Sequence, residues 1–209
     1  MSTRNDEKSI FLEQTTNHKE SKSKIGLFGL ALTGGLAAGL TIITASFVSP
    51  AFRRVCLPYV PATQKQITNV LKLCKQHGGG RRTTLVDLGS GDGRIAFAAA
   101  RNGYQATGYE LNIWLVVYSK LYARFSGLSK MTSFQRRDLW KVDLRDFDNI
   151  VIFGVADMMD DLSLKLENEM KENTRVVACR FEVKRWTPVE EVEDGVDSAW
   201  LYTKSSFSK

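Results

Sequence analysis

The stretch Val86-Asp87-Leu88-Gly89-Ser90-Gly91-Asp92-Gly93-Arg94 constrains this chain more than any other. It follows the apolar run Thr84–Leu88, which reads as a buried strand, and opens the Ala-rich run Arg94–Arg101, which reads as a helix. A strand that turns on glycines into a helix is the ligand-binding corner of a doubly wound α/β fold. The pattern downstream agrees. Further strands are expected at 105–110, 132–136, 149–155, 175–181 and 199–203, and helices at 63–76, 113–125 and 162–171. Strands and helices in alternation imply right-handed crossovers and a mainly parallel sheet. In the first helix Ile67, Val70, Leu71 and Cys74 share one apolar face, and Gly78, Gly79 and Gly80 stop it. The Lys and Glu residues of 165–172 read as a solvated helix face.

The loop also limits the ligand. Its spacing is GxGxG, whereas the dinucleotide fingerprint is GxGxxG. Asp87 stands just before the glycines and Asp92 among them. A helix N-terminus attracts phosphate, but two nearby carboxylates oppose a pyrophosphate. They suit a ligand with an amino group, a positive centre and no phosphate, and S-adenosylmethionine has that chemistry. Glu110 ends the next strand, about 20 residues after the loop, where an acid accepts from ribose hydroxyls. Read alone, it is equally a surface acid at a strand end. Asp138-Leu139-Trp140 follows the third strand, where an acid can accept from an adenine amino group between apolar neighbours.

A second feature lies upstream. Residues 25–48 read IGLFGLALTGGLAAGLTIITASFV and carry no charge. A helix of that length rises roughly 36 Å, against a hydrocarbon core of about 30 Å, so it is expected to span a bilayer with some tilt. The polar stretch before it is long for a secretory signal, and Asp6, Glu7, Glu13 and Glu20 make it unlike a mitochondrial presequence. Lys19, Lys22 and Lys24 on one side balance Arg53 and Arg54 on the other, which leaves orientation open. Gly35 and Gly39 form a GxxxG, although glycine is common in membrane helices anyway. The expected organisation is a polar tail at 1–24, a transmembrane helix at 25–48, a connector and helix at 49–80 and the ligand-binding domain at 81–205.

DLGSGDGR at 87–94, GYELN at 108–112 and DLWK at 138–141 together resemble the seven-strand class I (Rossmann-like) methyltransferases. With RRVCLPYVPAT at 53–63, VIFGV at 151–155 and ACRF at 178–181, the chain resembles the small membrane-anchored mitochondrial lysine methyltransferases. Members of that family methylate the ATP synthase c-subunit or the adenine nucleotide translocase. The CLPYVPAT, FGV-x-x-MM and ACRF segments are nearer to the members that act on the c-subunit. The resemblance implies S-adenosyl-L-methionine as cofactor, held by Asp87, Gly89, Gly91, Gly93, Glu110 and Asp138. It implies a membrane-protein substrate and a single-pass location in the mitochondrial inner membrane. Two positions depart from the family pattern: Ile113 stands where a Pro is usual, and Glu182-Val183-Lys184-Arg185 replaces a Pro-rich segment before Trp186.

The implied reaction is in-line attack of a neutral lysine amine on a sulfonium methyl, for which the protein supplies alignment and desolvation. Asp157, past the fourth strand, is a candidate proton acceptor or else a plain loop acid. Trp140 is a candidate for cation–π packing of the ammonium, or a core residue. A non-catalytic membrane adaptor is the alternative outside enzymes. The chain has 209 residues and a net charge of +6, and its basic pairs Arg81–Arg82, Arg136–Arg137 and Lys184–Arg185 raise nucleic-acid binding. No aromatic-basic motif accompanies them, so no nucleic-acid partner is expected. Three separated cysteines (Cys56, Cys74, Cys179) and two separated histidines suggest neither a disulfide framework nor a metal site.

Overall fold

The computed structural model describes residues 30–41, 44, 60–74 and 83–207. The chain divides into two compact units, residues 1–49 and 50–209.

In the first unit, residues 30–41 form helix α1. The side chains of Leu30, Leu32, Leu36 and Leu40 are all exposed. Its hydroxyls are satisfied within the helix: Thr41 Oγ1 donates to the Ala37 carbonyl and Thr44 Oγ1 to the Leu40 carbonyl, each at 2.8 Å. The surface is therefore apolar, with its polar groups turned inward. Among the described residues no helix is long and apolar enough to cross a membrane. The expected span at 25–48 lies partly outside the described residues, as does the whole of the expected tail at 1–24.

The second unit is built on a seven-stranded sheet. Its elements are α2 (Gln64–Leu73), β1 (Thr84–Leu88), α3 (Arg94–Arg101), β2 (Gln105–Glu110), α4 (Ile113–Phe125), β3 (Thr132–Arg136), β4 (Asn149–Phe153), α5 (Ala156–Glu169), β5 (Arg175–Cys179), β6 (Glu190–Val192) and β7 (Ala199–Tyr202). The spatial order is β3-β2-β1-β4-β5-β7-β6. β1 to β5 run parallel, and β7 is antiparallel to both β5 and β6. Strand order reverses between β1 and β4, which opens a crevice outside their carboxyl ends.

Side-chain alternation along the strands sorts the core into two layers. Leu85, Val151 and Val177 face one layer, with Val70 and Leu73 of α2, Ile95 and Phe97 of α3 and Val116 of α4. Val86, Leu88, Ile150, Ile152 and Val176 face the other, with Met159, Leu162 and Leu166 of α5 and with Trp186 and Tyr202. Among the described residues both layers draw only on the second unit, which carries a core of its own.

Two expectations are corrected, and one strand is added. α5 begins at Ala156, well before residue 162, because its first turn forms over Asp157-Met158-Met159 with no side-chain cap at Val155 to announce it. β6 is absent from the sequence pattern: it is three residues of mostly exposed polar sequence recruited by pairing with β7. Nor are Lys165 and Glu169 a solvated face. They pair at 2.6 Å with side-chain exposures of 12% and 21%, Lys165 also donates to the Val142 carbonyl, and Glu169 accepts from the Leu144 amide. α2 agrees with its apolar face. Thr63 caps it by accepting from the Gln66 amide, and Cys74 is buried at its end, while residues 75–82 lie outside the described set.

One close approach fixes how the glycine turn sits on the sheet. A Cβ on Gly108 in β2 would lie 2.6 Å from both Phe134 Cδ1 and Ser90 Oγ. Gly108→Ala is expected to lower stability by about 1–3 kcal/mol, read as a fall in the urea midpoint. Combining it with Phe134→Leu should recover part of the loss, and an unchanged midpoint in the single variant would refute the close approach.

Candidate functional site

The site starts from β1, whose neighbours β2 and β4 leave its last residues buried on both faces. Beyond Leu88 the chain turns at once. The amides of Gly89 and Ser90 both donate to the Tyr109 carbonyl, at 2.9 and 3.0 Å, which straps the turn to β2. The Gly93 amide then donates to the Ser90 carbonyl at 2.8 Å and starts α3. Gly89, Gly91 and Gly93 have φ of +78°, +54° and +82°, the left-handed region that side chains other than glycine seldom adopt. Their surroundings differ. A Cβ on Gly93 would sit 2.7 Å from the Phe134 ring, so this glycine is also required by packing. A Cβ on Gly89 would meet nothing within 4 Å, which leaves room beside the turn.

Asp87 lies beneath that turn, paired in register with Gly108 of β2 and Val151 of β4. It is 1% exposed, and neither carboxylate oxygen has a hydrogen-bond partner. Burial pushes its carboxyl up to about 8, and the nearby charges of Glu110 and Asp92 add to the shift. A buried carboxyl without a donor is costly, and a cationic or donor-bearing ligand removes that cost. Ser90 Oγ is likewise buried and unpartnered.

Glu110, at the end of β2, folds back over the turn. One oxygen accepts from the Gly91 amide at 3.0 Å and the other from the Asn112 amide at 2.8 Å. Asn112 in turn caps α4 by accepting from the Trp114 amide. Asp138 follows β3, is half-buried, and accepts from the Trp140 amide at 3.1 Å to cap a single helical turn at Leu139–Lys141. Leu139 and Trp140 are partly buried against the core layer of α5, so Trp140 has a packing role. Asp157 is exposed in the first turn of α5. Asp87, the three glycines and Glu110 are thus gathered around one turn. Asp138, Trp140 and Asp157 follow the carboxyl ends of the flanking strands β3 and β4.

The structure corrects the reading of Asp92. Its carboxylate is held by the Arg94 guanidinium, with contacts of 2.6 to 3.1 Å, and Arg94 also donates to the Ala62 carbonyl. Asp92 therefore braces the turn from outside, and Asp87 is the acid left for a ligand. Two features are not visible in the sequence pattern. Arg94 ties the turn to Ala62, just ahead of the Thr63 cap of α2, a contact that no local pattern signals. Arg180, after β5, has φ of +69°, and its amide donates to the Ser198 carbonyl at 3.0 Å. The ACRF motif by itself gives this arginine no role. The Cys74 thiol is pushed up to about 12 by burial, and that of Cys179 well above its usual range, so neither supplies a thiolate near neutral pH.

Comparison with known proteins adds to this geometry. Residues 87–190 match a family model described as the ANTKMT methyltransferase domain. Residues 22–53 match one described as the ATP synthase C-subunit lysine N-methyltransferase N-terminal domain. The chain is 47% identical to the human ATP synthase C-subunit lysine N-methyltransferase, over 89% of this chain and 78% of that protein. It is 41% identical to the mouse adenine nucleotide translocase lysine N-methyltransferase, over 87% and 80% of the two chains. Among solved structures, it superposes with a TM-score of 0.62 on an RNA methyltransferase from Salinibacter ruber in complex with S-adenosyl-L-homocysteine. That match has 26% identity and covers 69% of this chain and 93% of the other.

The Asp87 carboxyl links folding to pH. Its value is raised from 3.8 in the unfolded chain to about 8 in the fold. Between these limits the unfolded chain has released a proton that the fold retains, so the ligand-free protein loses stability as pH rises from about 4 to 8. Asp87→Asn should raise the melting midpoint near pH 7.5, by on the order of 3 kcal/mol of stability, and flatten that slope. Calorimetric melting across this pH range decides it, and a slope that persists in the variant would contradict the assignment.

Proposed function

This chain belongs to the ATP synthase C-subunit lysine N-methyltransferase family and is a protein-lysine N-methyltransferase, and we propose that it methylates a lysine of the ATP synthase c-subunit from S-adenosylmethionine. The observation that carries the cofactor reading is Asp87: a buried, unpartnered carboxyl beneath a turn with open space at Gly89. Such a site fits a cationic, phosphate-free nucleoside. In this reading Asp87 faces the amino group of the cofactor, Gly89, Gly91 and Gly93 let the backbone approach it, Glu110 accepts from the ribose, and Asp138 accepts from the adenine. When bound, the cofactor supplies a methyl group already activated by a positive sulfur.

The work left to the protein is alignment and proton management. The target lysine has to be neutral to attack, and transfer from water into the crevice favours the neutral amine. Asp157 is the candidate proton acceptor. Its exposure on α5 gives it a path to solvent, and also fits a plain acid in the first turn of a helix. Trp140 is read as packing beside the adenine site, with cation–π contact to the ammonium as the second role.

The anchoring proposal rests on the uncharged stretch 25–48 and on the exposed leucines and internally bonded hydroxyls of α1. Such a surface is stable in hydrocarbon and costly in water. We place the tail at 1–24, the span at 25–48, the connector and helix at 49–80 and the catalytic domain at 81–205, in the mitochondrial inner membrane. A shared bilayer raises the effective concentration of a hydrophobic substrate such as the c-subunit. The second reading, methylation of the adenine nucleotide translocase, is favoured by the family model that matches residues 87–190 and by the mouse relative.

Two measurements test this. Membranes from cells lacking the protein, supplied with the full chain and methyl-labelled cofactor, should incorporate label into the c-subunit. Label confined to the translocase would replace the first reading with the second, and label in neither would refute both. By calorimetry, affinity for S-adenosylmethionine should rise with pH up to about 8, as Asp87 ionises to meet a cation. Glu110→Ala, which also frees the Gly91 and Asn112 amides, should weaken binding by at least about tenfold. Wild-type affinity in the variant would remove Glu110 from the site.

A further inference from the structure

α4 is apolar on both sides. Leu115, Val116 and Ala123 point into the core, as an α/β fold requires. The outward side carries Ile113, Val117, Leu121 and Phe125 in steps of one helical turn, with Tyr118 and Tyr122 beside them, and all six are exposed. Phe125 is 85% exposed and Leu121 51%. A helix that is apolar all round belongs in an apolar environment, and a helix on the outside of a soluble domain presents charges there instead.

The charges on α4 have one sign, and the acid that shares a cleft with Tyr118 and Tyr122, Asp92, is paired with Arg94. Lys120 and Arg124 are exposed on α4, and Lys130 follows it. No acidic residue occurs anywhere from Ile113 to Met131. The nearest upstream acid, Glu110, is turned back onto the Gly91 and Asn112 amides. On the neighbouring helix, the Arg101 guanidinium donates to the Tyr122 hydroxyl at 3.1 Å, which adds another positive charge at the edge of the face.

We infer that the outward face of α4 is a membrane-docking surface that lies on a bilayer rich in anionic phospholipid. Apolar side chains enter the headgroup–acyl boundary, the tyrosines sit at the interface, and the lysines and arginines meet lipid phosphates. Charge separates this occupant from a second copy of the chain. A two-fold contact on α4 would bring Lys120 and Arg124 of one copy towards the same residues of the other, with no acid on the helix to compensate. The surface lies wholly within residues 50–209. It begins at Ile113, immediately after the Asn112 cap that follows Glu110, so docking brings the rim of the cofactor site to the bilayer surface.

The experiment uses residues 50–209, which carry a core of their own. The protein is sedimented with vesicles of phosphatidylcholine alone or of phosphatidylcholine mixed with phosphatidylglycerol, at low and high salt. Expected are binding to the mixed vesicles, weak binding to phosphatidylcholine, and loss of binding with salt. Leu121→Asp with Phe125→Asp should reduce partitioning by at least about tenfold, while Lys120→Glu with Arg124→Glu should remove the preference for anionic lipid. All four side chains are exposed, so melting midpoints should stay near wild type, and S-adenosylmethionine affinity measured by calorimetry should be unchanged. Failure of the unaltered protein to bind mixed vesicles overturns the inference, whatever the variants do. Equal binding by the aspartate variant overturns it too. A concentration-dependent dimer that the aspartate variant breaks assigns the face to a second copy and overturns the lipid reading.

Discussion

A carboxyl group with no donor, enclosed near the end of an inner strand of a seven-stranded sheet, is the constraint around which the catalytic unit is arranged. Asp87 is held there between β2 and β4 and is almost wholly shielded from water. Glu110 and Asp92 make matters worse for its ionised form. A protein selected for stability alone would place an apolar residue at this point, as β1 does at Val86 and Leu88. Retaining an acid costs the ligand-free fold some free energy and stores a preference for a positive ligand. The cofactor of the family carries both an ammonium and a sulfonium.

The rest of the site follows from keeping that acid covered but reachable. The turn has to pass directly over β1, and three residues with positive φ make the reversal within one loop. Gly93 and Gly108 then allow the Phe134 ring to close beneath the turn. Backbone bonds from Gly89 and Ser90 to Tyr109 fix the turn to β2, and the Asp92–Arg94 pair fixes it to the segment before α2. Glu110 does double duty in this arrangement. It satisfies the Gly91 and Asn112 amides, and in the proposed reading its remaining lone pairs would accept from the ribose, so the ligand, the turn and the Asn112 cap on α4 would share one carboxylate.

Local pattern carries much of this. Strand β1, the glycine turn and α3 are a continuous signal in sequence, and the Ile67–Val70 spacing marks the buried face of α2. The signal is weakest where tertiary contacts decide. α5 opens over Asp157-Met158-Met159-Asp160-Asp161, which has two apolar residues among three acids and no capping side chain, so periodicity emerges only at Leu162. β6 exists because β7 offers it a partner, not because Glu190-Glu191-Val192 favours extension. The Lys165–Glu169 pair looks solvent-facing in one dimension, yet the segment Val142–Leu144 lies across it. Asp92 and Asp87 look equivalent in the motif, and only the fold shows that Arg94 takes one and leaves the other.

The same limit hides the outward face of α4. Read as a sequence, 113–125 is simply a rich apolar helix, and such a pattern is assigned to the core by default. The fold can bury only one side of it, at Leu115, Val116, Ser119 and Ala123. What remains outside is apolar residues flanked by cations, and this recasts the +6 net charge. Positive charge gathered beside an exposed apolar surface suits an anionic bilayer better than a nucleic acid, which would call for cations spread along a groove with aromatic groups available to bases. For the membrane substrate proposed above, a geometric problem precedes the chemical one, because the crevice has first to be brought to the bilayer. With α4 against the lipid, the strand ends next to Glu110 are held close to that plane. The substrate search is then reduced from three dimensions towards two.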